Sequence, residues 1–254
     1  MFPAMQEPRY HPADFGFRTV PAEDKAELVH GVFERVARRY DIMNDLMSLG
    51  VHRLWKASMM DELNPRPRTH LLDVAGGTGD IAFRFLDRCP DGTVTVCDIN
   101  DAMVAVGRDR AIDQGRIAGI DWVVGDAERI PLADMSVDAC TIAFGLRNVT
   151  HIDAALAEMR RVLRPGGRFL CLEFSRVVMP VLDRIYDTYS FEVLPRLGAV
   201  VAKDRDAYTY LVESIRRFPP QEELEARMRA VGFDRVSHRN MSGGIVALHS
   251  GWRL

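Results

Sequence analysis

The sequence predicts an α/β fold, with a doubly wound, mostly parallel β-sheet covered by helices on both faces. Two observations carry this prediction. Short apolar segments alternate with segments of helical periodicity from His70 onward. The first apolar segment ends in a glycine-rich turn, Gly76–Gly79, that leads into a helix. With 254 residues the chain is long enough for one large domain and does not require two.

The composition is that of a folded globular protein, with 47% hydrophobic and 27% charged residues. A net charge of −3 gives no general attraction to phosphate backbones, so we expect no nucleic-acid substrate. The four cysteines lie far apart without metal or redox spacing, which indicates reduced, buried thiols and no metal site. The sequence contains no apolar run of membrane-spanning length and no secretory signal, so a cytoplasmic location is expected.

Residues 21–254 are predicted to form a single domain, and its N-terminal part is predicted to be a helical cap. Residues 1–20 carry three prolines and little periodicity, so we expect a loose segment. Helical periodicity follows over residues 23–40 and runs into a mixed polar and apolar stretch. The proline-rich linker at 64–67 ends this cap, which we place at residues 21–66.

Five segments after the cap are predicted to be parallel strands: Leu71–Val74, Thr93–Cys97, Asp121–Val124, Ser136–Ala143 and Arg168–Phe174. Helices near residues 79–88 and 101–111 connect the first strands. Thr150 is predicted to be the N-cap of a further amphipathic helix, with Asp153 at capping-box distance. This helix ends at the Pro165–Gly167 turn.

Residues 178–218 interrupt the alternation of strands and helices. The segment is rich in large apolar and aromatic side chains and is too long for a simple connection. We predict a helical insertion that covers the mouth of the substrate site, with a homodimer surface as the alternative. A helix over residues 221–231 and an antiparallel pair of strands, 233–238 and 245–249, then complete the sheet.

The glycine-rich turn predicts a nucleotide-type ligand, because such a turn exposes backbone N–H groups at a helix N-terminus. The segment Gly77–Ala82 also fits the dinucleotide pattern, so the turn alone leaves NAD and S-adenosylmethionine open. Asp98 follows the second strand and can accept hydrogen bonds from the ribose hydroxyls of either ligand. Asp126 with Ala127 after the third strand, and the turn at 161–168, are typical of methyltransferases, which favours the methyl donor.

Several stretches resemble one family closely. They are F-G-F-R-T-V at 15–20, Y-D-I-M-N-D-L-M-S-L-G-V-H-R-L-W-K at 40–56 and F-G-L-R-N-V-T at 144–150. The chain resembles the ubiquinone/menaquinone biosynthesis C-methyltransferases (the UbiE family) from Phe15 to its C-terminus. The resemblance implies the Rossmann-like class I methyltransferase fold, with seven strands. It also implies methyl transfer from S-adenosylmethionine to a ring carbon of a polyprenylated quinol, a benzoquinol or a demethylmenaquinol.

The resemblance also implies the residues that bind the donor. Thr78 and the backbone of the glycine turn should hold the methionine end, Asp98 the ribose, and Asp126 with Ala127 the adenine. Ala143 stands where family members often have a serine, so only its backbone is expected to contact the donor. The predicted donor-binding residues are Gly76, Gly77, Thr78, Gly79, Asp98, Asp126, Ala127 and Ala143.

The chemistry requires a quinol, because an electron-poor quinone ring cannot attack an electrophilic methyl group. Loss of a hydroxyl proton makes the ring carbon nucleophilic and leaves an oxyanion that the enzyme must stabilise. We expect Arg147 to pair with this oxyanion, with an ion pair to an acid of the cap as the alternative, and Asn148 to hydrogen-bond a ring oxygen. Tyr40, Asp41 or His52 should manage the proton. His52 has the ordinary pKa best suited to a base, with packing between helices as its alternative role.

The prenyl tail of such a substrate lies in a bilayer. We therefore expect peripheral association with the inner face of the membrane or delivery by a quinone-synthesis complex. Two alternatives from other classes stay open at this point. One is an NAD-dependent oxidoreductase, which the glycine turn permits. The other is a non-catalytic methyltransferase-like scaffold, to which only Ala143 points.

Overall fold

A computed structural model describes residues 12–36, 45, 48, 50–178 and 205–254. Two short strands precede the first helix: β1 (Pro12–Phe15) and β2 (Arg18–Pro21) pair antiparallel. The structure thus differs from the loose segment expected for residues 12–20. The turn between the strands places Gly16 at a φ of 61°, a conformation that glycine adopts without strain and that a tight hairpin requires.

The remaining strands form one seven-stranded sheet. They are β3 (His70–Val74), β4 (Thr93–Asp98), β5 (Ile120–Val124), β6 (Val137–Ala143), β7 (Leu163–Phe174), β8 (Asp234–Met241) and β9 (Val246–Arg253). The helices in the described residues are α1 (Ala22–Val36), α2 (His52–Leu63), α3 (Asp80–Arg88), α4 (Asp101–Asp113), α5 (Ile152–Val162), α6 (Arg205–Arg217) and α7 (Gln221–Ala230).

The strand order across the sheet is β5-β4-β3-β6-β7-β9-β8. The strands from β5 to β7 are parallel, and β9 pairs antiparallel with both β7 and β8. The predicted seven-stranded, mostly parallel sheet with an antiparallel final pair is therefore confirmed. The carboxyl ends of β3, β4, β5 and β6 meet at one edge, which is where such sheets bind ligands.

Helices cover both faces of the sheet, and neighbouring strand residues point to opposite faces. On β3, Leu71 packs in the core cluster that includes side chains of α2, α3 and α6, whereas Leu72 packs in the cluster that includes α5 and α7. Both are 0% exposed. All four cysteines are buried free thiols, which fits the expectation of reduced, buried thiols.

Several boundaries differ from the sequence prediction. The last two strands run further than expected, to Met241 and Arg253. The strand expected at Arg168 begins at Leu163, because Leu163 already pairs with Val137 before a register shift at the glycine turn. Thr150 is not the N-cap of α5. His151 occupies that position without a side-chain cap, and the carboxylate of Glu128 accepts the N–H groups of Thr150 and His151 at 2.9 and 2.8 Å.

The cap and the insertion are described in part. Of the stretch 40–56, residues 40–44, 46, 47 and 49 lie outside the described residues, so the positions of Tyr40 and Asp41 are not described. Of the insertion at 178–218, residues 179–204 also lie outside. Among the helices that are described, none combines the length and apolar character that crossing a bilayer requires.

Candidate active site

A cavity of about 480 Å³ lies at the carboxyl edge of the sheet. Its floor consists of the segments that follow β3, β4, β5 and β6, and α1 lies over it. Two contacts hold α1 in this position. Lys25 Nζ donates to the carbonyl of Val149 at 2.9 Å, and Asn100 Nδ2 donates to the carbonyl of His30 at 3.2 Å. The volume lies within the range of small-molecule sites.

The turn after β3 brings backbone to the cavity wall. A side chain at Gly76 would place its Cβ 2.7 Å from Asp73 Oδ2, so this position accepts only glycine. Gly77 has a φ of 54° and donates its N–H to Asp98 Oδ2 at 2.8 Å. Gly76, Gly77 and the buried Thr78 line the cavity. Backbone at this wall can therefore approach a ligand without an intervening side chain.

Gly79 has a different position from the one the resemblance implies. It is not among the residues that line the cavity; it precedes α3 with a φ of 81°. A Cβ at this position would lie 2.6 Å from the Trp122 ring. Gly79 thus allows the turn and α3 to pack against β5, and it shapes the cavity from behind.

Asp98 is buried at the end of β4 and lines the cavity. Burial raises the pKa of Asp98, and the N–H groups of Asn100 and Gly77, both at 2.8 Å, partly offset this. Each carboxylate oxygen accepts one of these hydrogen bonds and retains a second lone pair. The carboxylate is therefore held in place and can still accept hydroxyl groups of a ligand.

The other predicted donor residues lie along the same wall. Asp126 accepts the N–H of Glu128 at 2.9 Å through Oδ1. Asp126 and Ala127 line the cavity after β5, and Ala143 lines it at the end of β6. The structure thus brings seven of the eight predicted donor residues to one cavity, with Gly79 behind it.

Charged side chains without a predicted role also line the cavity, among them Lys56, Asp73 and Asp80. Lys56 is 5% exposed and its Nζ lies 2.8 Å from Asp80 Oδ2. Burial raises the pKa of Asp80, but Lys56 and Arg84 outweigh it and lower the pKa to about 2. Asp80 could have been selected from the sequence, because it follows the glycine turn directly, and an acidic residue is favourable in the first turn of a helix.

Asp73, which also lines the cavity, is almost completely buried. Thr141 donates to its Oδ1 at 2.8 Å, whereas its buried Oδ2 has no hydrogen-bond partner among the described residues. Burial raises the pKa of Asp73 to about 7, with Thr141 and Lys56 opposing this shift. An oxygen of this kind favours a cationic hydrogen-bond donor as its partner.

The side chain of Arg147 is buried, and Arg147 is not among the residues that line this cavity. Its Nη1 forms an ion pair with Glu173 Oε1 at 2.8 Å and also donates to the carbonyl of Phe144. The backbone N–H of Arg147 donates to Glu173 Oε2 at 3.3 Å. The acid that pairs with Arg147 is thus Glu173, at the end of β7. In this arrangement the charge of Arg147 stabilises the Glu173 carboxylate, and the contact of Arg147 with a substrate oxyanion stays a prediction.

Asn148 follows directly and does line the cavity. It ends the 3₁₀ turn Leu146–Asn148, and its N–H donates to the carbonyl of Gly145 at 3.1 Å. Tyr210 on α6 donates its hydroxyl to Asn148 Oδ1 at 3.0 Å. The contact joins the insertion to the edge of the sheet.

His52 is buried at the start of α2 and is not among the cavity-lining residues. Its Nδ1 lies 2.9 Å from Ser48 Oγ. Burial and the nearby charge of Lys56 lower the pKa of His52 to about 4, despite the opposing effect of Asp45. The predicted general-base role assumed the ordinary pKa of histidine. In the fold the pKa of His52 is lower than this ordinary value.

Among the described residues, no group of three His, Cys, Asp or Glu side chains is placed to hold a metal ion.

Comparison with solved structures shows the fold that this chain shares with other proteins. A methyltransferase from Aquifex aeolicus described as SAM dependent aligns with a TM-score of 0.57 and 16% identity, over 78% of this chain and 89% of that chain. Phosphoethanolamine N-methyltransferase 2 from Haemonchus contortus, solved with S-adenosyl-L-methionine, aligns with a TM-score of 0.58 and 13% identity, over 78% of this chain and 52% of that one. The fold is that of the class I S-adenosylmethionine-dependent methyltransferases.

Comparison of sequences gives the family. The model of the ubiE/COQ5 methyltransferase family matches residues 19–253, so the chain belongs to this family. It is 62% identical to the ubiquinone/menaquinone biosynthesis C-methyltransferase UbiE of Paracoccus denitrificans, over 94% of this chain and 96% of that protein. The protein of the same name from Acidiphilium cryptum is 59% identical, over 95% and 96%. The chain is therefore a methyltransferase that uses S-adenosylmethionine as the methyl donor.

Proposed function

We propose that this chain transfers a methyl group from S-adenosylmethionine to a ring carbon of a polyprenylated quinol in ubiquinone or menaquinone biosynthesis. Membership of the family and the names of its relatives support the reaction. One observation carries the proposal. Asp98, residues 76–78 of the glycine turn and Asn148 all line the same cavity. A donor site and a polar group for the acceptor are thus adjacent.

The cavity fits the donor chemically. Asp98 is suited to the ribose hydroxyls, and Asp126 with Ala127 to the adenine. The backbone of Gly76 and Gly77 with Thr78 is suited to the methionine end, and Ala143 to a backbone contact. The unpartnered oxygen of Asp73 is suited to a cationic amine. When bound, S-adenosylmethionine supplies an electrophilic methyl group on a positively charged sulfur.

On the acceptor side the chain has to stabilise a ring oxyanion. The deprotonated quinol forms the new carbon–carbon bond as the methyl–sulfur bond breaks, and loss of the ring proton restores the aromatic ring. The amide of Asn148 can donate a hydrogen bond to the ring oxygen and favour deprotonation. Direct contact of Arg147 with the oxyanion, and proton transfer by Tyr40, Asp41 or His52, stay predictions. The buried Arg147–Glu173 ion pair supports a role of Arg147 in holding the 146–148 turn.

The prenyl tail adds a requirement for access to a bilayer. We propose that the chain meets its substrate at the membrane surface, at the inner face, or receives it within a quinone-synthesis complex. The insertion at 178–218 is the proposed contact region, and a homodimer is the alternative use of it. Flotation with liposomes that contain the quinol checks direct membrane contact. Failure to float would favour delivery by a partner.

The reaction is tested with purified chain, methyl-labelled S-adenosylmethionine and a prenylated quinol kept reduced. We expect label in the ring of the quinol and none when the quinone is supplied. In a strain that lacks the protein, mass spectrometry should detect the demethylated precursor. Heat of binding for a pyridine dinucleotide but not for S-adenosylmethionine would contradict the proposal. Donor binding without any transfer would favour a non-catalytic scaffold.

A further inference from the structure

Tyr210 connects the insertion to the acceptor side of the cavity. Its side chain is buried on α6, at 4% exposure, and its ring stacks on Phe15 of β1 with centroids 4.3 Å apart and an interplanar angle of 21°. Its hydroxyl donates to Asn148 Oδ1 at 3.0 Å. The ring is thus fixed by packing against the N-terminal hairpin, and the hydroxyl is fixed by the one amide that faces the cavity from the 146–148 turn.

In the structure this hydrogen bond engages the oxygen of the Asn148 amide. An asparagine side chain carries an acceptor oxygen and a donor NH₂ group, and rotation by 180° exchanges them. Because Tyr210 donates to the oxygen, the NH₂ group is the half left for a ligand. A developing phenolate accepts hydrogen bonds from such a donor, whereas an amide oxygen in its place would repel it.

We propose that Tyr210 is a positioning residue that orients the Asn148 amide so that its NH₂ group donates to the ring oxygen of the quinol. The inference rests on the proposed function and adds a residue from the insertion to it. Tyr210 itself touches no reacting atom and acts only through Asn148.

The charge state of Tyr210 agrees with this role. Burial raises the pKa of Tyr210 well above its ordinary value, although Arg147 opposes the shift. Arg147 and Glu173 are the charged groups that act on it, and they are paired with each other at 2.8 Å. The hydroxyl therefore stays protonated, and stays a donor, across the pH range in which quinol methylation can be assayed.

The test is a double-mutant cycle between Tyr210→Phe and Asn148→Ala. Phenylalanine keeps the ring that stacks on Phe15 and removes only the hydroxyl. We expect kcat of Tyr210→Phe to fall about 10-fold and kcat of Asn148→Ala about 100-fold, the range for loss of an oxyanion donor. The double variant should be no slower than Asn148→Ala alone. The apparent pKa of the acidic limb of kcat should rise in Tyr210→Phe, because the phenolate loses its donor.

Tyr208→Phe is the matched control, since Tyr208 is a fully buried tyrosine on the same helix, 1% exposed. We expect its kcat within twofold of that of the parent chain. Donor affinity measured by calorimetry, and the melting temperature, should be the same for Tyr210→Phe and the control. Multiplicative losses in the double variant, or an equal loss in Tyr208→Phe, would overturn the inference. Absence of quinol methylation by the parent chain would instead overturn the proposed function.

Discussion

Burial shifts the pKa values of individual residues in and around the cavity away from the values that are ordinary for their residue types. Asp73 has a pKa of about 7 and His52 a pKa of about 4, both mainly through loss of solvation. The two shifts have opposite consequences for stability. Because unfolding restores solvation to both groups, each makes the free energy of unfolding depend on pH, over overlapping ranges but with opposite sign.

Asp73→Asn is expected to stabilise the fold above neutral pH and to weaken donor binding. The folded pKa of Asp73 is raised, so the folded state holds a proton between about pH 4 and pH 7 that the unfolded state has lost. The stability of the parent chain therefore falls as pH rises through this range. The variant lacks this loss, and its free energy of unfolding at pH 8 should exceed that of the parent by about 1–3 kcal/mol. Urea unfolding at pH 5 and pH 8 measures the difference.

Asp113→Asn, at the exposed end of α4, is the control for this prediction. It should change neither the pH dependence nor the donor affinity. If Asp73→Asn unfolded at the same urea concentration as the parent at both pH values, the buried charge would carry no stability cost. Unchanged donor affinity would remove Asp73 from the donor site.

His52→Gln should leave turnover near neutral pH within about threefold, because a histidine with a pKa of about 4 is a weak base. Its lowered pKa means that the unfolded state takes up a proton as pH falls from about 6.5 while the folded state does not. The parent should lose stability over this range, and the variant should lose about 1–3 kcal/mol less. A 100-fold loss of kcat at pH 7.5, with an unchanged melting temperature, would restore the general-base role.

The sequence was sufficient to predict which residues follow the strand ends, but not what their side chains contact. Asp98 and Asp126 could be predicted because parallel strands bring their carboxyl ends to one edge. The partner of Arg147 could not, since Glu173 lies 26 residues further along and meets it only through the pairing of β6 with β7. The pKa of His52 is lowered mainly by its burial in the fold, which no local pattern reveals, and the charge of Lys56 one helical turn further along adds to the shift.

At the level of elements, the N-terminal hairpin is the feature that the sequence did not predict. Two strands of four residues show too little alternation to stand out from loop. Their stability comes from docking on α6, where Phe15 stacks on Tyr210 and the N–H of Phe17 donates to Glu213 at 3.0 Å. The main strands were predictable because burial on both faces makes them continuous apolar runs.

Phe15→Ala is therefore expected to destabilise the fold by about 3–5 kcal/mol, as for other buried aromatic side chains. Phe17→Ala, in the same hairpin but 49% exposed, should change it by less than about 1 kcal/mol. Thermal unfolding of both variants measures the contrast. Equal melting temperatures would mean that the hairpin contributes nothing to the packing of α6.

For the whole molecule, binding of the donor should couple α1 to the sheet, because the cavity lies between them. A ligand that binds only the folded state at 100 times its dissociation constant adds about 2.7 kcal/mol to stability. For a chain of this size we expect a rise in melting temperature of about 5–10 °C with S-adenosylmethionine. NADH at the same concentration should produce none. Amide hydrogen exchange should slow in α1, and unchanged exchange there would mean that α1 does not close on the donor.

Burial of three of the four cysteine thiols inside strands has a practical consequence. Cys97, Cys140 and Cys171 lie inside β4, β6 and β7, and burial raises the pKa of each, so none exposes a thiolate while the sheet is intact. An alkylating reagent can modify them only in molecules whose sheet has opened. Mass spectrometry of alkylated chains would thus count unfolded molecules directly, even in crude extracts or beside membranes where optical methods fail.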